Sequence, residues 1–223
     1  MEREYKNVAI LGAGASGCIC AHFLLKYGIS VTLFDKKNKP LTTLLPTGGG
    51  RCNLAHAEYD FKELAKNYPR GEKFLYSIFS KFSTTDSIEL FDELGIKTYT
   101  QDDGKIFPIS NSSKKVREKI LFSIKNAEFV NDEVEKIIPI DGGFKIKAGK
   151  SEYLFSHIVI AIGGHSDYKI IKNFDKFTDF DKAEKIHMSF CEKEKQLICL
   201  HFFPLYILIF RNLRGIILQC YIG

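Results

Sequence analysis

The stretch YKNVAILGAGASG, residues 5–17, joins an apolar run to three closely spaced glycines. Residues 5–11 predict a buried strand, and the glycines that follow fit the pattern GxGxxG at the entrance to a helix predicted over 18–27. In this pattern the first glycine permits a tight turn and the second lets the backbone approach a pyrophosphate. The third lets helix and strand pack closely.

A second strand, SVTLF at residues 30–34, completes a βαβ unit of about 30 residues and ends at Asp35. A carboxylate in that position can accept hydrogen bonds from ribose hydroxyls, and the helix N-terminus favours a diphosphate. The alternative is a structural glycine turn with an ordinary surface aspartate. We predict dinucleotide binding by this segment, through Gly12, Ala13, Gly14, Ala15, Ser16, Gly17, Asp35 and Lys36.

Two further glycines follow the segment HIVIAI, residues 157–162, which reads as a nearly all-apolar buried strand. In one interpretation, Gly163 and Gly164 only end this strand. We favour a second interpretation, in which they lie where strand C-termini open into a cofactor crevice, because GxGxxG predicts such a crevice.

The loop TGGGRCN, residues 47–53, has three consecutive glycines before Arg51, Cys52 and Asn53. A glycine run costs conformational entropy, so a loop that keeps one needs positive φ angles or a close approach to another group. Its N–H groups could contact a phosphate or a flat ring, and Arg51 could pair with a phosphate or a substrate carboxylate. The alternative is a flexible linker, but Arg-Cys-Asn is not linker composition.

The rest of the chain predicts a mixture of helices and short strands. Helical patterns occur within 61–94, a hairpin is expected at 97–108, and another helix at 113–124. Residues 127–155 read as a β-meander, whereas 169–223 lack a clear pattern and stay unassigned.

Composition is that of a soluble globular protein, with 45% hydrophobic and 26% charged residues among 223. The formal net charge is +5 and the lysines are scattered. The densest runs, including 114–119, mix with polar or acidic residues. This favours a solvated surface over a nucleic-acid patch.

Cysteine usage points to a reducing compartment. The six cysteines form no CxxC pair and no cluster with zinc spacing, so we expect no metal site. No secretory signal opens the sequence, which predicts a cytoplasmic protein. The apolar stretch 197–210 is too short for a membrane span and contains His201 and Pro204.

Four segments, in this order, resemble the BaiN-like (YhiN-like) bacterial flavoproteins, sometimes labelled aminoacetone oxidase-like. The combination of GGGRCN with GKIFPISN is specific, whereas GxGxxG alone is not. The similarity runs from residue 5 to about residue 168. The segments are GAGASG (12–17), TGGGRCNL (47–54), DDGKIFPISNSSKKV (102–116) and IVIAIGG (158–164).

The resemblance implies an α/β fold with a glutathione-reductase-like, Rossmann-type FAD/NAD(P)-binding domain over 1–168. This domain has a parallel sheet, a β-meander and a small helix and hairpin insertion at about 58–110. The GxGxxG glycines would bind the FAD diphosphate and Asp35 the adenosine ribose, and Val134 would contact adenine through its backbone. The further cofactor contacts that it implies are Gly48, Gly49, Gly50, Arg51, Cys52, Asn53, Val134, Ala161, Gly163 and Gly164.

Cys52 is a weak candidate for a catalytic residue. Disulfide reductases of the wider superfamily carry two cysteines a few residues apart after a similar glycine run, but here no second cysteine precedes Cys191. A dithiol relay is therefore unsupported, and packing or a position beside the flavin is favoured. His56 and His165 flank the motifs, although an isolated histidine is more often structural or exposed.

Family members are usually much longer, with a cap or substrate domain and a C-terminal glycine-rich segment beside the flavin. That segment is not found in this sequence, so we expect a truncated member, with 169–223 as a remnant of the cap domain.

The predicted function is that of an FAD-dependent, NAD(P)H-linked oxidoreductase acting on an unknown small molecule in the bacterial cytoplasm. The alternative is a catalytically inactive dinucleotide-binding remnant or a partner-binding module. A flavoprotein acting on RNA resembles other superfamily members. The mild charge gives that hypothesis little support, so nucleic acid is not an expected partner.

Overall fold

The computed structural model describes residues 7–68, 72–162, 197–201 and 206–207. These residues form two compact units. One holds the described residues up to Pro40 and from Asn126 onward, and the other is Leu41–Lys125. The elements in chain order are β1 (Asn7–Leu11), α1 (Ala15–Lys26), β2 (Ser30–Phe34), β3 (Ala55–His56), α2 (Phe61–Lys66), α3 (Glu72–Phe79), α4 (Thr84–Glu93), β4 (Thr98–Thr100), β5 (Lys105–Pro108), α5 (Ser113–Ser123), β6 (Glu128–Val130), β7 (Val134–Ile140), β8 (Gly143–Ala148), β9 (Ser151–Phe155), β10 (His157–Ile160), β11 (Leu197–His201) and β12 (Tyr206–Ile207).

A parallel sheet forms the centre of the first unit. Its strand order is β12-β11-β10-β1-β2-β6, and every neighbouring pair from β11 to β6 is parallel. Strand β1 lies in the interior of this sheet. Its residues Val8, Ala9, Ile10 and Leu11 are all buried, because both faces of a central parallel strand are covered.

Helix α1 connects β1 to β2, as the βαβ pattern predicts. It begins at Ala15, earlier than the predicted Cys18, because the small residues of its first turn carry no apolar periodicity. It ends at Lys26, and Gly28, two residues further on, has a φ of +73°. The N–H groups of Gly28 and Ile29 donate to the last turn over 2.9 and 3.0 Å, which satisfies carbonyls that the helix leaves unpaired.

Strands β7, β8 and β9 form an antiparallel meander that packs against one face of the parallel sheet. The predicted meander is confirmed for these three strands. Strand β6, which the sequence placed in the same meander, instead joins the parallel sheet beside β2. There the hydroxyl of Thr32 donates to the Glu128 carboxylate over 3.0 Å.

Phe34 is the most deeply buried phenylalanine in the core shared by the two sheets of this unit. It is 1% exposed, and its ring packs edge-on against Tyr153 and Phe155 with centroids 5.1 and 5.7 Å apart. Aromatic pairs in this geometry add to the free energy of burial. Phe34 is also the last residue of β2, so the same core supports the strand end at Asp35.

The second unit contains the predicted helices and hairpin. Strands β4 and β5 pair antiparallel, as predicted for 97–108, and β3 adds to β5. Asp60 caps α2 by accepting from the N–H groups of Lys62 and Glu63, which holds the pKa of its carboxyl below the usual value. Ser112 caps α5 by accepting from the N–H of Lys115 over 3.4 Å.

The unassigned segment 169–223 contributes two strands among the described residues. Strand β11 pairs parallel with β10 in the register Ile158 to Leu197, and β12 pairs antiparallel with β11. The apolar run did not predict β11, because a short continuous apolar run fits a buried strand or a buried helix equally well. No helix of the described ranges is long and apolar enough to cross a membrane.

Replacing Phe34 by alanine tests the contact between the two sheets. We expect the free energy of unfolding to fall by about 3–5 kcal/mol, because a buried ring is lost and a cavity remains. Urea unfolding followed by circular dichroism measures it. Tyr27→Ala is the control, since that ring is 62% exposed and its loss should cost less than about 0.5 kcal/mol. Equal losses in both variants would contradict the role of Phe34.

Candidate functional site

The backbone turn at Gly12 joins three strands of the parallel sheet. The N–H of Gly12 donates to the carbonyl of Phe34 over 2.7 Å, and the N–H of Ala161 donates to the carbonyl of Leu11 over 2.7 Å. The φ angle of Gly12 is +107°. A Cβ at this position would lie 2.3 Å from the carbonyl oxygen of Ala161. Only glycine fits, because the adjacent strand end leaves no room for a side chain.

The other two glycines of GxGxxG have different surroundings. A Cβ at Gly17 would lie 1.9 Å from the carbonyl oxygen of Gly12, so Gly17 allows α1 to pack against the turn. A Cβ at Gly14 would meet no atom within 4 Å. Gly14 is the N-cap of α1, where no side chain of the described residues caps the helix. The first turn therefore presents backbone N–H groups beside open space, which fits a diphosphate.

Asp35 follows β2, and two backbone groups hold its carboxylate. Oδ2 accepts from the N–H of Ala13 over 2.8 Å, and Oδ1 accepts from the N–H of Lys37 over 2.8 Å. The side-chain amide of Asn131 donates to the backbone carbonyl of Asp35 over 3.0 Å. Each carboxylate oxygen can accept more than one hydrogen bond. The half-buried Asp35 is thus oriented by the protein, and its carboxylate keeps lone pairs that could accept further hydrogen bonds.

The structure also describes three other predicted residues of this unit, Lys36, Val134 and Ala161. Lys36 is exposed, and its ammonium lies 3.6 Å from the carboxylate of Glu133. Val134 is buried at the start of β7, and Ala161 is buried after β10, in contact with the Gly12 turn. Three predicted or candidate residues lie outside the described ranges, so the hypotheses about them stay predictions: Gly163, Gly164 and His165.

The loop of residues 47–53 lies in the second unit and has a left-handed backbone. The φ angles of Gly48, Gly49 and Gly50 are +56°, +65° and +85°. A Cβ at Gly48 would lie 2.7 Å both from the backbone nitrogen of Asn53 and from the Phe107 ring, whereas one at Gly49 would meet nothing within 4 Å. The glycine run predicted either positive φ angles or a close approach to another group, and the φ angle is positive at all three glycines.

Arg51 and Asn53 are held differently within this loop. The guanidinium carbon of Arg51 lies 4.1 Å from the centroid of the Phe107 ring, and its Nε donates to the carbonyl of Gly48 over 3.3 Å. This stacking leaves its terminal nitrogens for an anion. The side-chain oxygen of Asn53 is buried and has no hydrogen-bond partner within the part of the chain that the structure describes. A ligand N–H could satisfy that acceptor.

Cys52 is fully buried beneath the loop and adopts a φ of +66°. Burial raises the pKa of its thiol to about 11, and a hydrogen bond with the side chain of Thr47 acts in the opposite direction. The thiol is therefore protonated at neutral pH, whereas nucleophilic cysteines act as thiolates. These properties favour the packing interpretation of Cys52.

The contacts of His56 favour a structural role for this residue. Its side chain is exposed, its ring lies against Gly104 in the neighbouring hairpin, and its backbone carbonyl accepts from the hydroxyl of Thr84 over 3.1 Å. Within the described ranges, no group of three or more histidine, cysteine, aspartate or glutamate side chains could hold a metal ion.

Three contacts at the site were missed by the sequence reasoning. They are the Phe107 ring under Arg51, the Asn131 amide on Asp35, and the hydroxyl of Ser113, which donates to the carbonyl of Leu45 over 2.7 Å and ties α5 to the segment just before the loop. Residue spacing carries no signal for contacts between distant segments. The position of Asn131 directly after a strand was the one available indication.

Residues 6–171 match the family described as HI0933-like protein Rossmann domain. The chain belongs to this family. The resemblance to BaiN-like (YhiN-like) flavoproteins is thereby confirmed, because the family includes them. The fold prediction is confirmed as well, since β6, β2, β1 and β10 form the parallel sheet of a Rossmann-type domain.

Two curated relatives share the name ribosomal RNA dihydrouridine synthase. The chain is 26% identical over 218 residues to the one from Haemophilus influenzae, covering 88% of this chain and 52% of that protein. It is 27% identical over 183 residues to the one from Escherichia coli, covering 77% and 45%. The chain thus spans about half the length of the curated relatives it matches.

Among solved structures, the THI4 protein of Thermovibrio ammonificans is similar with a TM-score of 0.48 and 15% identity. The alignment covers 77% of this chain and 62% of that chain.

Two glycine variants separate cofactor contact from packing. We expect Gly14→Ala to lower the affinity for FAD at least ~10-fold, because its Cβ enters the space that a diphosphate needs. Its stability should fall by no more than about 1 kcal/mol. Gly17→Ala should be strongly destabilised instead, because its Cβ would lie 1.9 Å from a carbonyl oxygen. Thermal melting and flavin fluorescence titration measure the two effects, and the same profile in both variants would contradict this division.

Alkylation tests the protonation and burial of Cys52. At about pH 8 we expect iodoacetamide to modify Cys52 at least ~100-fold more slowly in the folded protein than in urea, because the raised pKa lowers the thiolate fraction by about that factor. Mass spectrometry of the peptide that contains Cys52 follows the reaction, with Cys52→Ser as the blank. Rapid alkylation of the folded protein would show an accessible thiolate and revive a catalytic role.

Proposed function

We propose that this chain binds FAD and acts within a flavin-dependent oxidoreductase for which NAD(P)H is the electron donor. The observation that carries the proposal is the turn after β1, where a Cβ fits at Gly14 but not at Gly12 or Gly17. Packing explains why Gly12 and Gly17 carry no side chain. Packing does not explain Gly14, so we infer that a ligand occupies the open space beside it. Membership of the HI0933-like family supports the same conclusion.

The ADP half of FAD is proposed to bind to groups of the first unit. The uncapped first turn of α1 would hold the diphosphate, and Asp35 would accept from the ribose hydroxyls. The backbone of Val134 would contact adenine. Bound FAD would supply hydride transfer, whereas the protein supplies binding and orientation.

The loop of residues 47–53 is proposed as a second set of cofactor contacts, argued from its own geometry. A buried acceptor without a partner costs about 1–3 kcal/mol, so the side-chain oxygen of Asn53 calls for a donor. A ring N–H of a flavin is a donor of the right kind. The open backbone at Gly49 and the stacked guanidinium of Arg51 suit a flat, electron-rich ligand.

For the substrate, we propose uracil rings in ribosomal RNA, because two relatives bear the name ribosomal RNA dihydrouridine synthase. In the proposed reaction the C5=C6 bond of uracil gains a hydride and a proton, and NAD(P)H is oxidised to NAD(P)⁺. This proposal departs from the expectation that nucleic acid is not a partner. That expectation depended on net charge, which reports on average repulsion and not on a local surface.

A catalytically inactive dinucleotide-binding module is the second candidate. It is favoured by one observation, that Cys52, the candidate catalytic residue, is buried and has a thiol pKa raised by that burial. Such a module would hold the nucleotide through the same glycine turn without turnover.

The visible spectrum of the purified full chain distinguishes the two candidates. We expect an oxidised flavin band, present on purification or after addition of FAD, that bleaches when NADH or NADPH is added without oxygen. The matched control is Gly14→Ala, which should remain folded and take up less flavin. A colourless protein that does not take up FAD would contradict the proposed cofactor, and a flavin that neither nucleotide reduces would favour the inactive module.

The substrate is tested separately, with unmodified ribosomal RNA transcribed in vitro. The full chain, FAD and NAD(P)H are incubated with the RNA, which is then digested to nucleosides. Mass spectrometry should detect a uridine that has gained two hydrogen atoms. Flavin reduction without this product would contradict the RNA substrate and leave the cofactor assignment standing.

A further inference from the structure

Helix α5, Ser113–Ser123, has one face packed in the second unit and one face in solvent. The buried positions are Ser113, Val116 and Ile120, which recur at three- and four-residue spacing. That spacing places them on a single side of the helix. The opposite side is exposed, with the ammonium of Lys119 lying beside Gly95, which follows α4.

The solvent-facing side of α5 is basic. Lys114, Lys115 and Lys119 are all exposed and lie within one arc of the helix, in which Glu118 is the one acidic residue. Within the described ranges, no carboxylate pairs with these lysines or with Lys125, just beyond the helix. Elsewhere in the same unit, Lys66, Lys97 and Lys105 do form ion pairs.

An aromatic ring lies on the same face as the unpaired lysines. Phe122 is 69% exposed, although its size and apolarity favour burial. It is one helical turn from Lys119, and the ammonium of Lys125 lies 4.8 Å from its ring centroid. Exposed aromatic rings among cations are the elements with which proteins bind single-stranded nucleic acid, by stacking bases and contacting phosphates.

We propose that this face of α5, defined by Lys114, Lys115, Lys119, Phe122 and Lys125, binds single-stranded RNA. The lysines contact phosphates and the Phe122 ring stacks on a base. The inference rests on the proposed RNA substrate and adds the surface by which this unit holds it. An anionic membrane fits less well, because an interfacial helix needs several large apolar side chains on its inserting face.

The pattern was not visible along the sequence. There, 114–119 alternate basic residues with Val116 and Glu118, which is typical of a solvated surface. The helix removes Val116 into the core and brings Phe122 beside the lysines. The segment mixes basic, acidic and apolar residues in sequence order, but its exposed side in the helix is mainly lysines beside one aromatic ring.

Fluorescence anisotropy with a labelled single-stranded RNA of about 20 nucleotides tests the surface on the full chain. Phe122→Ala should weaken binding about 10-fold through loss of stacking, whereas Phe122→Trp should retain it. Lys115→Gln with Lys119→Gln should weaken binding and reduce the slope of log K against log salt by about 1.4, since each phosphate contact on a single strand contributes about 0.7.

The charge-matched control is Lys62→Gln with Lys73→Gln, which removes two exposed lysines from α2 and α3. It should leave the salt slope unchanged. A loss of affinity equal to that of the α5 variant would mean non-specific charge and would overturn the proposal. So would unchanged RNA binding in Phe122→Ala, or binding to phosphatidylserine vesicles and not to RNA.

The same preparations separate this proposal from the proposed function. Bleaching of the flavin band and formation of the reduced uridine are measured beside RNA affinity. If the wild-type chain reduces uridine while the α5 variants bind RNA normally, the surface is wrong and the function stands. If the wild-type chain binds RNA through α5 but reduces no uridine, the surface stands and the proposed substrate reaction is wrong.

Discussion

The close backbone approach between Gly12 and Ala161 is the constraint on which the unit with the parallel sheet depends. A Cβ at Gly12 would lie 2.3 Å from a carbonyl oxygen of the neighbouring strand end, so the chain can leave β1 between β2 and β10 only at a glycine. That exit directs α1, whose packing then requires Gly17. It also places the N–H of Ala13 against Asp35. The turn after β1, the direction of α1 and the orientation of the Asp35 carboxylate therefore all depend on the crowding at Gly12.

The loop of residues 47–53 meets a different constraint. Its backbone is left-handed at four positions, and one of these, Cys52, is not glycine. A left-handed residue with a side chain costs about 1–2 kcal/mol. Full burial of the Cys52 side chain and the stacking of Arg51 on Phe107 offset that cost. The same burial raises the pKa of the Cys52 thiol, so the thiol stays protonated at neutral pH and is a poor nucleophile.

The position of the lysines says more about possible binding partners of this protein than its net charge does. The formal net charge is only +5, and several lysines of the described residues form ion pairs with nearby carboxylates, as Lys97 does with Asp92 and Lys145 with Glu152. The lysines on the exposed side of α5 form no ion pair with a carboxylate of the described ranges. Because screening limits exposed charges to about 10 Å, a local cluster acts on a partner independently of the average.

By itself, the sequence determined the βαβ unit, the hairpin at 97–108, the strands of the meander and the glycine turn with Asp35. These follow from apolar periodicity and from glycine geometry, which are properties of neighbouring residues. Tertiary structure alone decided that β6 and β11 join the parallel sheet, that Cys52 is buried, and that Phe107 supports Arg51. Each depends on contacts between residues far apart in the chain, and such contacts leave no periodic trace in the sequence.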